Sequence, residues 1–61
     1  GEEKAKEAAL SNAKADAVTE LEIELDEGIY EIEFKSNGYE FDYEIDALTG
    51  RIIKAEKDID D

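Results

Sequence analysis

Gly38-Tyr39-Glu40-Phe41-Asp42-Tyr43-Glu44-Ile45-Asp46-Ala47-Leu48-Thr49-Gly50-Arg51-Ile52-Ile53-Lys54 is the stretch whose reading decides the fold. Tyr39, Phe41, Tyr43 and Ile45 alternate with Glu40, Asp42 and Glu44, the period of a strand with one dry and one wet face. Asp46 to Gly50 then turns the chain. An Asp side chain can accept backbone N–H groups two or three residues on, and Gly50 can supply a positive φ after Thr49. Residues 51–57 resume as a strand. Ile52 and Ile53 are adjacent, so a regular strand must point them opposite ways; Ile53 and Ala55 are expected to face the core.

Working outward, Asn37-Gly38 between two alternating runs signals a two-residue type I′ hairpin. It joins the central strand to residues 29–35, where Tyr30, Ile32 and Phe34 oppose Glu31, Glu33 and Lys35. Asp26-Glu27-Gly28 is a second turn. Before it, Leu21, Ile23 and Leu25 alternate with Glu20, Glu22 and Glu24. Residues 2–14 read as a helix, with Glu2 and Glu3 at its positive end and Ala5, Ala8, Ala9 and Ala13 in a narrow stripe. Leu10 flanks the stripe, and Asn12 falls within it without an evident partner. Residues 15–17 connect helix to sheet, and residues 58–61 are expected to fray. The expectation is an α+β domain over residues 1–61, one N-terminal helix on a four-stranded antiparallel meander.

The chain has 61 residues, 19 acidic against 7 basic side chains, net charge −12, and neither Cys nor His. That composition excludes thiol or imidazole catalysis and structural zinc. The charge repels nucleic acid and anionic membranes. No stretch approaches the roughly 20 apolar residues that span a bilayer. With no Met and a leading Gly1, the chain reads as a domain excised from a longer protein, Gly1 being a remnant of tag removal.

Three groups of residues are candidates for function. Glu22, Glu24, Glu31, Glu33, Glu40, Asp42 and Glu44 project from one side of three strands. They read either as a docking surface for a basic partner, as a loose calcium site, or as a solvated face that keeps a small sheet soluble. Parallel side chains on a flat sheet converge poorly, so no metal is assigned. Asp46, Thr49 and Gly50 read as a structural turn rather than a phosphate loop. Tyr30, Phe34, Tyr39, Phe41 and Tyr43 have strand spacing and read as core, with the tyrosines at the rim of the helix–sheet layer and their hydroxyls in water. Carboxylate pairs such as Glu31 and Asp42 lie on an exposed face with no pocket to shift a pKa, so no catalysis and no cofactor are expected.

Four motifs in order carry a resemblance: Ala5-Lys-Glu-Ala8-Ala9-Leu10, Val18 to Leu25, Gly28-Ile-Tyr30-Glu31-Ile32-Glu33-Phe34, and Tyr43-Glu-Ile-Asp46-Ala-Leu-Thr-Gly50. The chain resembles the PepSY domain family, with Ala13-Lys14-Ala15 standing where a Gly is frequent. The resemblance implies a cystatin-like helix-on-sheet fold and a non-catalytic, extracytoplasmic module, secreted or in the cell envelope. It implies a protein partner such as a secreted peptidase or envelope enzyme, inhibited or chaperoned as by a propeptide. The competing expectation is a structural or self-association module of an envelope protein, its partly covered sheet pairing with itself, without inhibitory activity; the chain is expected to be a monomer or a weak homodimer.

Overall fold

A computed structural model describes all residues, Gly1–Asp61. Helix α1 (Glu2–Ala13) precedes strands β1 (Thr19–Asp26), β2 (Ile29–Ser36), β3 (Tyr39–Asp46) and β4 (Ile52–Ile59). The sheet is antiparallel in the order β1-β2-β3-β4, the meander that the alternation predicts. Its inner face carries the apolar residues and is covered by α1 over the central strands; its outer face is acidic.

The core is small and central. Ala5, Ala9, Ile32, Phe34, Phe41, Tyr43 and Ile45 are buried, so the helix sits over β2 and β3. Alanine at the contact lets the helix backbone approach, and the aromatics of the sheet supply the bulk. Phe34 stacks on Phe41 at 5.0 Å and lies 6.1 Å from the Tyr43 ring. Asn12 now has its partner: its Oδ1 accepts the Tyr43 hydroxyl at 2.7 Å. Burial pushes the Tyr43 phenol up from its ordinary value.

Ser36 is a second polar tie that the sequence does not reveal. Its buried Oγ accepts the Asp16 N–H at 3.1 Å and donates to the Asp16 carbonyl. The connection after the helix is thereby fastened to the end of β2.

Local backbone departs from expectation at several places without glycine. Lys14, Ala17, Glu20 and Glu27 all have positive φ. The helix ends at Ala13, because Lys14 turns left-handed at φ 53°, ψ 43°. Its N–H and that of Ala15 bond the Ser11 and Leu10 carbonyls, each at 3.1 Å, which is a Schellman ending with Lys where Gly is preferred. A side chain in this conformation costs about 1 kcal/mol. Lys14→Gly is therefore expected to stabilise the domain by about 0.5–1 kcal/mol in urea melts. A loss of stability would show that Lys14 makes a compensating contact.

Two expectations about β4 are corrected. Glu44 pairs with Lys54 but Ile45 pairs with Ile52, so Ile53 is the extra residue of a bulge. The bulge frees the two isoleucines from strict alternation. Ile52 packs against the core, whereas Ile53 is half exposed and lies outside it. Ala55 does share the core face, opposite Tyr43, but it lies beyond the cover of the helix and is exposed. Nor is the C-terminus frayed from residue 58. Strand β4 runs to Ile59, the Asp60 N–H donates to the Gly38 carbonyl at 3.0 Å, and Lys35 holds the Asp60 carboxylate at 3.5 Å.

Candidate functional site on the acidic outer face

Strand register turns the seven acidic candidates into rows. Glu22, Glu33, Asp42 and Glu56 stand side by side across all four strands, and no base interrupts them. Glu24, Glu31 and Glu44 form the next row, closed by Lys54. On the other side, Lys35, Glu40 and Asp58 form a third. All seven residues from the alternation therefore share one surface. Glu56 and Asp58 of β4 extend it, opposite Asp42 and Glu40.

Two lysines carry all the compensation on this face. Lys54 reaches Asp42 at 3.4 Å and Glu44 and Glu56 at 3.8 Å each. Lys35 pairs with Glu20 at 3.2 Å as well as Asp60. Both ammonium groups are held above their ordinary range, Lys35 chiefly by its hydrogen bond to Glu20 and Lys54 chiefly by Asp42. Such exposed pairs offset only part of the repulsion between directly opposed acids. No three acidic side chains form a group able to hold a metal ion.

The unbroken row has a measurable consequence at Glu33. Its carboxyl is held above the ordinary value, first by Asp42 across the strand, then by burial and by Glu22, Glu40 and Glu24. The folded state thus binds this proton more tightly than the unfolded chain. Its stability contribution is present at acid pH and is lost as pH rises through the raised value. Asp46 behaves oppositely. The Thr49 and Leu48 N–H groups hold its carboxyl down, so it stabilises above its ordinary 3.8 and loses that as pH falls through the lowered value. At low salt the melting temperature is expected to climb as pH falls through the raised Glu33 value, then to fall in stronger acid as Asp46 takes up its proton. Glu33→Gln should raise it at neutral pH and have little effect once salt screens the row. A flat profile that Glu33→Gln leaves unchanged would show that the row carries no strain.

The Asp46–Gly50 turn lies at the end of β3. Asp46 Oδ1 accepts the Leu48 and Thr49 N–H groups at 2.8 and 3.0 Å, and the Gly50 N–H bonds the Asp46 carbonyl at 2.8 Å. Thr49 Oγ1 accepts the Arg51 N–H at 3.2 Å, and Gly50 has φ +79°. The Asp46 carboxylate is spent on its own loop and leaves no cradle for an anion. Asp46→Ala removes two acceptor contacts that water replaces only in a looser loop. It is expected to lower the melting temperature by several degrees, and an unchanged value would sink the turn role.

One helix packed on a four-stranded antiparallel meander with an acidic outer face is the class of small α+β domain that the fold and the site define. The profile of the PepSY family, described as "Peptidase propeptide and YPEB domain", matches residues 1–56. The chain belongs to the PepSY family. Domains of this family are propeptide- or inhibitor-type modules, generally non-catalytic and typically extracellular or envelope-associated. No helix is long and apolar enough to cross a membrane. No curated protein and no solved structure matches the chain.

Proposed function

We propose that this domain is a non-catalytic, extracytoplasmic interaction module that engages a secreted peptidase or envelope enzyme in the manner of a propeptide. The observation that carries the reading is the unbroken row Glu22, Glu33, Asp42 and Glu56, flanked by Glu24, Glu31, Glu40 and Glu44. A sheet that needed only solubility could intersperse bases, as it does at Lys35 and Lys54. A cationic partner surface would relieve the repulsion on binding and be steered to it from a distance. Self-association is the weaker reading, because two copies at net charge −12 each repel.

The test is capture from secreted and envelope fractions on the immobilised domain, beside a variant with Glu31, Glu33, Asp42 and Glu44 changed to Lys. Salt-sensitive retention of a peptidase or envelope enzyme by the wild type alone is expected. Equal retention by both proteins, or by neither, would overturn the role of this face.

A further inference from the structure

The meander leaves two open strand edges, and they are not equivalent. Main-chain bonding alternates along an antiparallel pair, so every second residue of an edge strand aims its N–H and C=O away from the sheet. Asp60 bonds Gly38, and the register then directs Lys54, Glu56 and Asp58 toward β3. Ala55, Lys57 and Ile59 consequently present their backbone groups outward. On β1 the interval between its bulge at residues 19–22 and the turn after Asp26 leaves only Ile23 and Leu25 in that position. Ala15 and Val18 also pack against the core from the connection that leads into β1.

The inner face beside β4 is uncovered. A shallow groove of about 290 Å³ runs between Asn12 and Ala13 of the helix and Ala55 and Lys57 of β4, with Phe41 and Tyr43 as its floor. Ile59 is 74% exposed and Tyr39 36% exposed. Lysines on an edge normally discourage a further strand, yet both lysines of β4 are turned inward. Lys54 is engaged by Asp42, Glu44 and Glu56, and Lys57 lies 4.1 Å above the Tyr39 ring. On the outer face the rows reach this edge as Glu56 and Asp58.

We propose that the free edge of β4 receives an extended segment of a partner protein as a fifth strand, basic at positions facing outward and apolar at positions facing the helix side. The proposal rests on the interaction-module reading and names its surface and the partner's chemistry. Main-chain bonds to Ala55, Lys57 and Ile59 supply affinity and alternate side chains supply selection. Basic residues continue the rows that end at Glu56 and Asp58. Apolar residues cover Ala55, Ile59 and the rim of the aromatic groove.

The probe is a capped peptide of the length of β4, alternating lysine and valine, titrated into the isotope-labelled domain. Amide shifts and slowed exchange are expected at Ala55, Lys57 and Ile59, with no response to the glutamate–valine counterpart. Changing Glu56 and Asp58 together to Lys should weaken the lysine peptide by about tenfold. Lys57→Pro removes an outward N–H but no ladder bond, so it should fold, as its spectrum will show, and lose the peptide. Shifts confined to Glu22, Glu33 and Asp42, shifts at Ile23 and Leu25 instead, or no shifts at all would overturn the proposal. Enzyme capture with a silent β4 edge would sink this proposal alone. Edge binding without enzyme capture would sink the propeptide reading alone.

Discussion

Phe34→Ala is expected to abolish cooperative folding at ordinary temperature or bring the domain close to that point. Phe34 is 1% exposed and is the largest fully buried side chain, stacked on Phe41 and near Tyr43. Truncating a buried Phe costs about 3–5 kcal/mol, through lost transfer energy and the cavity left behind. A domain of this size has about 3–9 kcal/mol in total. The core has no disulfide to limit the loss. Where a transition survives, its midpoint should fall by about 12–40 °C. Phe34→Leu keeps most of the volume and should cost far less. The measurement is thermal and urea unfolding followed by circular dichroism. A loss below about 1 kcal/mol would mean that Phe34 is not inside. A one-residue slip of β2 would have that effect, since it exchanges the faces of every side chain on the strand.

Ala9→Leu is expected to be the second most damaging change, although it adds hydrophobic surface. Ala9 is fully buried where α1 meets the sheet, and its methyl group sets how near the helix lies. Three more carbons there force the helix outward, at a cost of about 1–3 kcal/mol in a packed core. Lifting the helix also stretches the bond from the Tyr43 hydroxyl to Asn12. Ala8→Leu, at a half-buried position on the same helix, is the control and should be tolerated better. The readout is the unfolding midpoint together with the Tyr43 ring resonances. Equal tolerance at both positions would show that close helix approach is not what the alanine stripe provides.

Most of the sheet was legible because its signals are local. Tyr39 to Ile45 alternate strictly, and Asn37-Gly38 can hardly be anything but a tight turn, so β2, β3 and their register follow from neighbours in the chain. The acidic candidates were legible for the same reason, as the opposite parity of the same strands. The turn at Asp46 was legible because an Asp side chain reaches only a few residues along its own backbone. The bulge that re-aims Ile52 and Ile53 was not legible, since it depends on where β4 meets β3 rather than on either isoleucine. The left-handed residues Lys14, Ala17, Glu20 and Glu27 were equally hidden, since none is a glycine whose identity would mark the position.

The amino-acid order alone thus determined the elements, their sequence, the wet and dry faces and the family pattern, because period and turn chemistry act within a few residues. Tertiary structure decided where the helix rests, that Asn12 serves Tyr43 and Ser36 holds Asp16, and that the acids line up into rows reaching Glu56 and Asp58. It also decided that β4 is the open flank. A single helix of 12 residues covers the two central strands, and no signal within the helix itself says over which strands it will rest.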